Sequence, residues 1–249
     1  MRQEEKEAKK KYDLSAEGYH NRRTKENPKG WFYNELLEMP STLSLLGKIK
    51  NKKILDFGCG TGIYAKFLTK KGAKVKGFDI SKEMLNIAKR ENPKLDLKKG
   101  SGYKIPFKEK FDIILASLVV HYLKDWDKMF REVGRVLKKD GFFIFSTENP
   151  VVESRKKITI GNKKISVFGN YFNEGKIYGS LKDNKGKKMK ISYYHKTYET
   201  IIKTILKNNF EIIDYKDCFP LKKSQKLFPE DYAKYSKNPL FCVWKVRKK

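Results

Sequence analysis

Cysteine and histidine are both scarce in this sequence. The 249 residues contain three of each, and Cys59, Cys218 and Cys242 form no Cys-x-x-Cys pair. An odd number of widely spaced cysteines excludes a disulfide framework and gives no zinc-binding pattern. We therefore expect reduced thiols and no metal site.

Long apolar runs are also absent. The longest, residues 113–120, is far shorter than the roughly 18 residues that a membrane-spanning helix needs. The first residues are charged rather than apolar, which does not indicate a signal peptide. The sequence therefore predicts no membrane span and a cytoplasmic protein.

Acidic residues are few beside basic ones, 29 against 57, and the formal net charge is +28. A polyanionic partner such as nucleic acid would explain this excess. However, 49 of the basic residues are lysine and only 8 are arginine, and base recognition relies on the arginine fork. Lysine enrichment is typical of hyperthermophiles. A lysine-rich, thermophile-like background is therefore favoured, and a nucleic-acid partner is the open alternative.

Glycine is concentrated where an apolar strand ends. Residues 54–62 read Ile-Leu-Asp-Phe-Gly-Cys-Gly-Thr-Gly, and a helix is expected to begin near Ile63. Gly58, Gly60 and Gly62 allow a sharp turn and let backbone N–H groups approach a ligand. This pattern predicts a cofactor-binding loop.

Two aspartates indicate what kind of cofactor this loop binds. Asp56 directly precedes the loop, where a carboxylate would repel a pyrophosphate and attract a cation. Asp79 follows 23 residues later, at the end of the next apolar strand, where it can accept both hydroxyls of a ribose. The loop spacing is also one residue tighter than G-x-G-x-x-G. A positively charged cofactor with a ribose is favoured over NAD.

From Lys53 onward the pattern alternates strands and helices, which indicates a parallel sheet with crossover connections. Residues 151–190 interrupt this alternation, with 11 basic and 3 acidic residues, and are predicted to be an insertion. Afterwards a helix is expected over 197–206 and strands over 210–217 and 240–246.

In this order the segments resemble the class I S-adenosylmethionine-dependent methyltransferases of the type 11 group. The likeness continues through residues 111–122 and 133–145 and covers about residues 53–148. It implies an α/β fold, a Rossmann-like, doubly wound, seven-stranded and mostly parallel sheet with an antiparallel C-terminal hairpin. It also implies an N-terminal helical lid (1–50) and a methyltransferase domain (51–249) with a substrate-side insertion (151–195) after strand five.

A narrower likeness concerns the C-terminal part of the chain. Glu148-Asn149-Pro150 and residues 194–197 look like the Glu-His-Pro and His-Arg-Thr stretches of a bacterial and archaeal small-molecule branch. Asn149 and Lys196 depart from these stretches, so that branch's substrate is not carried over. We expect methyl transfer from the sulfonium to an O, N or C atom of a small molecule, and the insertion's excess of bases suggests an anionic one.

The resemblance also assigns the cofactor residues. Asp56 would orient the amino-acid end of S-adenosylmethionine, Asp79 would bind the ribose, and Ser101 stands where the family often has an acid for the adenine amino group. The expected cofactor residues are Asp56, Gly58, Gly60, Gly62, Asp79, Ile80, Met84, Ser101, Gly102 and Ser117.

A hydroxyl or amine acceptor must lose a proton, and histidine is the usual base near neutral pH. His121 follows predicted strand four and His195 follows the insertion, so both are candidate catalytic residues. For His121 the alternative is that it bonds to backbone or lines the tail of the cofactor. Tyr19 and Arg23 in the lid and Asn149 after strand five are predicted substrate contacts. For the lid residues the alternative is that they only pack between helices.

Two other functions are kept open. One is an RNA (tRNA or rRNA) methyltransferase, because the basic insertion holds four aromatic residues that could stack on bases, namely Phe168, Tyr171, Phe172 and Tyr178. The other is a non-catalytic S-adenosylmethionine-binding subunit that activates a partner.

Overall fold

The central element is a seven-stranded sheet, seen in a computed structural model that describes residues 1–24 and 31–249. Its strands, numbered in chain order, are β1 (Lys53–Phe57), β2 (Lys74–Asp79), β3 (Asp96–Lys99), β4 (Phe111–Ala116), β5 (Leu137–Glu148), β10 (Phe210–Asp217) and β11 (Phe241–Lys248). The order across the sheet is β10-β11-β5-β4-β1-β2-β3.

Strands β1 to β5 run parallel to their neighbours among themselves. Strand β11 runs antiparallel to both β5 and β10. This is the doubly wound sheet with a reversed C-terminal hairpin that the sequence predicts, and the predicted fold class is confirmed.

Helices cover both faces of the sheet. They are α1 (Gln3–Thr24), a π-helix (Phe32–Glu38), α2 (Met39–Leu46), α3 (Ile63–Lys70), α4 (Lys82–Glu91), a 3-10 helix (Val120–Tyr122), α5 (Trp126–Val136), α6 (Pro150–Glu153), α7 (Tyr198–Lys207), α8 (Ser224–Leu227) and α9 (Pro229–Tyr235). None of the helices in the described ranges combines the length and apolar character of a membrane span.

Local sequence signals set several helix starts. The Ser81 hydroxyl accepts a hydrogen bond from Met84 N (3.1 Å) at the start of α4. Thr197 accepts one from Thr200 N (3.2 Å) at the start of α7. Such caps satisfy backbone N–H groups that lack a partner within the helix.

The sheet separates two hydrophobic clusters. Leu55 belongs to the cluster beneath α5 and α7, whereas Ile54 belongs to the cluster beneath α2 and α3. Both side chains are fully buried. Successive strand residues point to opposite faces, so an uninterrupted apolar strand needs cover on both sides.

The predicted insertion consists of two hairpins. They are β6 (Arg155–Ile160) with β7 (Lys163–Phe168), and β8 (Gly175–Lys182) with β9 (Lys188–His195). The second hairpin packs on α1: Gly18 N donates to Asn184 Oδ1 (2.9 Å), Asn184 N donates to Leu14 O (3.0 Å), and Lys176 Nζ lies 3.0 Å from Glu7 Oε2. We call α1 together with the β8–β9 hairpin the roof. Residues 25–30 of the predicted lid lie outside the described ranges.

Glu38 joins four parts of the core. Its side chain is fully buried, and Oε1 accepts hydrogen bonds from Thr42 Oγ1 (2.8 Å), Ser117 Oγ (3.0 Å) and Ser146 Oγ (2.5 Å). Oε2 accepts from Tyr64 OH (2.8 Å). Four hydroxyl donors offset the loss of hydration, so this carboxylate ties α2, α3, β5 and the end of β4 together.

Replacing Glu38 with alanine should therefore destabilise the fold strongly. We expect Glu38→Ala to lower the free energy of unfolding by about 3 kcal/mol, because four buried hydroxyls lose their acceptor. Denaturant titration measures this change. Glu199→Ala is the control, because Glu199 is an exposed i,i+4 partner of Lys203, and we expect a change below about 0.5 kcal/mol. Equal effects of the two substitutions would contradict this assignment.

Candidate functional site

A cavity of about 340 Å³ lies at the carboxyl ends of β1, β2, β4 and β5, beneath the roof. Parallel α/β sheets bind ligands at this edge, where strand order reverses. Of the predicted cofactor residues, seven line the cavity: Gly58, Gly60, Asp79, Ile80, Met84, Gly102 and Ser117. Asp56, Gly62 and Ser101 are not among the residues that line it.

The glycine loop leaves its backbone open towards the cavity. All three glycines have positive φ, 68° at Gly58, 51° at Gly60 and 78° at Gly62. A β-carbon on Gly58 would lie 2.6 Å from Val119 Cγ2, whereas one on Gly60 would meet no atom within 4 Å. Gly58 is thus required by packing, and Gly60 presents bare backbone to a ligand.

Asp79 fixes the loop to the end of β2. Its Oδ2 accepts a hydrogen bond from Gly60 N (2.9 Å) and its Oδ1 accepts one from Ser81 N (2.8 Å). Each carboxylate oxygen has a second lone pair, which leaves capacity for two ribose hydroxyls. Burial raises the pKa of Asp79 to about 6, although the backbone N–H groups act in the opposite direction.

Asp56 is a buried carboxyl, and one of its oxygens has no hydrogen-bond partner among the described residues. This oxygen is Oδ2, and the residue is 2% exposed. Burial, together with the nearby Asp79 carboxylate, raises the pKa of Asp56 to about 7. A cation from a ligand would stabilise the ionised form, and the ammonium group of S-adenosylmethionine fits this requirement.

A carboxylate from α1 reaches the position where the sequence has Ser101 instead of an acid. The Ser101 hydroxyl donates to Glu5 Oε1 and accepts a hydrogen bond from Tyr103 N (3.0 Å). Glu5 is 3% exposed and lines the cavity. Sequence reasoning missed Glu5, because it lies 96 residues from Ser101 in a run of alternating charges.

His121 faces the cavity from the 3-10 helix. It is 3% exposed, and its Nδ1 lies 3.5 Å from Thr147 Oγ1. Burial lowers the pKa of His121 to about 3. The imidazole is therefore neutral at physiological pH, where a group with so low a pKa is a weak base.

His195 lies away from the cavity. Its Nδ1 is 2.8 Å from Glu153 Oε2 and its Nε2 is 2.8 Å from the carbonyl oxygen of Tyr171. Both ring nitrogens are therefore bound within the protein, and His195 is absent from the cavity wall. This geometry does not support the catalytic role expected for His195 and indicates instead that it holds the insertion against α6.

Of the three predicted substrate contacts, one lines the cavity and two do not. Tyr19 lines the cavity. Arg23 does not line it, and its guanidinium contacts Tyr19 OH (Nη1, 3.1 Å) and Glu35 Oε1 (Nη2, 2.6 Å). Asn149 is 1% exposed and caps α6, since its Oδ1 accepts from Val151 N (3.1 Å). Only Tyr19 is placed to touch a bound molecule.

Glu148, the residue before Asn149, does line the cavity. Neighbouring strand residues face opposite ways, and at the end of β5 it is Glu148 that points to the ligand side. Within the described chain no donor forms a hydrogen bond with its carboxylate, and burial with the nearby Glu153 raises the pKa of Glu148 to about 8. The sequence pattern instead predicted a substrate contact at its neighbour Asn149.

The cavity wall is acidic although the chain is strongly basic. Glu5, Asp79 and Glu148 line it, and in the described part of the chain neither lysine nor arginine does. The positive charge of the chain therefore lies elsewhere. This distribution does not support the expectation of an anionic small molecule.

Known proteins resemble this chain in sequence and fold. The methyltransferase domain family matches residues 55–145. An uncharacterised Haemophilus influenzae protein is 30% identical over 231 residues, covering 86% of this chain and 88% of that protein. A Pelagibacter ubique ubiquinone biosynthesis O-methyltransferase is 34% identical over 47% of this chain and 50% of that enzyme. The crystal structure of a Mesorhizobium loti S-adenosylmethionine-dependent methyltransferase has a TM-score of 0.72 and 25% identity, covering 85% of this chain and 97% of that one.

Asp56→Asn should stabilise the ligand-free protein at high pH. The Asp56 carboxyl ionises near pH 3.8 when exposed and near pH 7 in the fold, so its contribution to stability falls as the pH rises between these values. We expect a gain on the order of 2 kcal/mol at pH 8 and a smaller gain at pH 5. Thermal unfolding at both pH values measures it.

Asp112→Asn is the matched control for this measurement. Asp112 accepts hydrogen bonds from Lys53 N (2.7 Å) and Lys138 Nζ (2.7 Å), which hold the pKa of its carboxyl below the usual value. This substitution should lower the melting temperature at pH 8. A lower melting temperature for Asp56→Asn at pH 8 would contradict our interpretation of Asp56.

Proposed function

The chain belongs to the class I S-adenosylmethionine-dependent methyltransferases, with S-adenosylmethionine as its cofactor, and we propose that it methylates an O, N or C atom of a small molecule. The cofactor supplies an electrophilic methyl group on a sulfonium, so the protein need not create an electrophile. The protein must align the acceptor with the methyl carbon and the sulfur and keep water away.

The residues in the cavity wall, together with Asp56 next to it in the chain, would hold this cofactor from one end to the other. Asp56 would attract the ammonium group, and the bare backbone at Gly60 would admit the chain between amino acid and ribose. Asp79 would accept the ribose hydroxyls. Ile80 and Met84 would flank the adenine, and Glu5 would stand near its amino group beside Ser101.

The observation that carries the proposal of a small acceptor is the roof. Helix α1 contributes Tyr12 and Tyr19 to the cavity wall, and β8 contributes Ser180 and Leu181. With the contacts between Gly18, Asn184 and Leu14, these elements form one cover over the cavity. A covered cavity of about 340 Å³ has the size of a small-molecule site and not of a groove for a polymer.

An RNA substrate has less support from the site. Phe172 (86% exposed) and Tyr178 (52% exposed) are available on the insertion, but Lys190 Nζ already lies 3.7 Å from the centre of the Tyr178 ring. The side chain of Phe168 lies outside the described part of the protein. Phosphates entering the cavity would meet carboxylates without a compensating cation, which opposes binding.

Label transfer from methyl-labelled S-adenosylmethionine tests the proposed function. The protein is incubated with either a small-molecule extract or an RNA extract, and uptake of label is counted in each. We expect label in small molecules only. Label in RNA alone would contradict a small-molecule acceptor, and cofactor binding without label in either extract would favour the non-catalytic subunit.

Asp79→Ala tests the proposed role of Asp79 in binding the cofactor. Because Asp79 holds the loop through Gly60 N and is expected to bind the ribose, its loss should weaken cofactor binding by about a hundredfold, or 2–3 kcal/mol. Calorimetry measures the dissociation constant. Asp96→Ala is the control. Asp96 lies in β3 and is an exposed ion-pair partner of Lys76, so its loss should leave the dissociation constant unchanged.

A further inference from the structure

We propose that the acceptor is the nitrogen of an amine and that Glu148 receives the proton which this nitrogen loses. The inference rests on the methyl transfer proposed above. It names the class of substrate and adds a catalytic residue.

Glu148 lies where strand β5 reaches the cavity. It ends β5, next to β4 in the sheet, and lines the cavity together with Leu118, Val119 and His121, which follow β4. Asp79, Ile80 and Met84 line the β2 side of the same cavity. Glu148 therefore lies at the end opposite the ribose and adenine positions, where an acceptor would face the methyl group.

Acidic and aromatic side chains surround Glu148. The charged and titratable groups that act on it or respond to it are Glu153 on α6, Tyr193 on β9, Tyr122 on the 3-10 helix and Tyr235 on α9, with His121 adjoining on the cavity wall. Among the described residues this set contains no permanent cation. A carboxylate so placed needs a positive charge or a hydrogen-bond donor, which an amine supplies in either protonation state.

The same charges disfavour the other acceptors. A hydroxyl or an acidic carbon must become an anion as its proton leaves, and three carboxylates in the cavity wall would raise the pKa of that acceptor. A carboxylate acceptor would be repelled outright. An amine instead starts as a cation or neutral molecule and ends as a cation, so it does not become anionic on this route.

The other residues of the cavity wall indicate the chemical character of the rest of the amine molecule. Tyr12 and Tyr122 are joined by a hydrogen bond between their hydroxyls (2.9 Å) and stand on one side of the cavity. Leu181 and Phe241 also line the cavity. Aromatic faces bind ammonium groups and apolar carbon well. We therefore infer an amine that carries an apolar body.

The proposed reaction moves one proton and one methyl group. The ionised Glu148 carboxylate takes a proton from the ammonium form of the substrate, which frees the nitrogen lone pair. The lone pair forms a bond to the methyl carbon, and the carbon–sulfur bond breaks with its electrons going to sulfur. The products are a methylated ammonium ion, S-adenosylhomocysteine and a protonated Glu148, which returns its proton to water.

Charge fractionation of the acceptor tests the substrate class. A small-molecule extract is separated at pH 6 into cation-exchange-bound, anion-exchange-bound and unbound fractions, and each is incubated with protein and methyl-labelled S-adenosylmethionine. We expect label in the cationic fraction. Label only in the anionic or unbound fraction would overturn the amine proposal but leave small-molecule methyl transfer intact. Label in no fraction would overturn the proposed function itself.

Glu148→Gln tests the role of the carboxylate with the labelled cationic fraction as substrate. We expect the rate at pH 7 to fall about a hundredfold, and to recover by up to about tenfold per pH unit as more free amine forms in solution. Cofactor affinity should stay within twofold. Glu83→Gln, which changes an exposed residue of α4, should behave like the native protein.

Three results would overturn this role for Glu148. An unchanged rate would show that the carboxylate is not needed. A loss without recovery at high pH would indicate a structural role. A cofactor dissociation constant raised more than tenfold would mean that Glu148 binds the cofactor instead.

Discussion

The site depends on one electrostatic constraint: several carboxylates face a single cavity and no permanent cation of the described chain faces it with them. Asp79 and Glu148 line that cavity, Asp56 is buried and directly precedes Phe57 and Gly58 of its wall, and burial raises the pKa of all three. The ligand must therefore bring the positive charge. A sulfonium cofactor with an ammonium group meets this need, and it gives an otherwise basic chain an acidic interior.

Buried acids serve two opposite purposes in this fold. Glu38 accepts hydrogen bonds from four hydroxyls and stabilises the junction of α2, α3 and β5. Asp56 lacks a partner for one oxygen among the described residues, and this lack favours binding at the expense of stability. The roof completes the arrangement, because α1 and the β8–β9 hairpin exclude water and strengthen each charge interaction beneath them.

Sequence reasoning succeeded where signals are local. The glycine loop and the alternation of strands and helices follow from neighbouring residues, and the antiparallel C-terminal hairpin followed from the family likeness. It missed Glu5 and Glu148, and it expected His195 and Asn149 at the site. Those four depend on contacts with distant residues or on which side a strand end faces, such as the bonds of His195 to Glu153 and Tyr171. The excess of bases in the insertion suggested an anionic substrate, but none of the insertion's basic residues whose side chains the structure describes lines the cavity.

Proton release on cofactor binding tests the central claim most directly. Calorimetric titration with S-adenosylmethionine at pH 6.5, in buffers of different ionisation enthalpy, gives the number of protons exchanged. The carboxyl of Asp56 holds a proton at that pH in most molecules, and the ammonium group of the bound cofactor should expel it. We predict a net release of about one proton. No exchange, or proton uptake, would contradict the account.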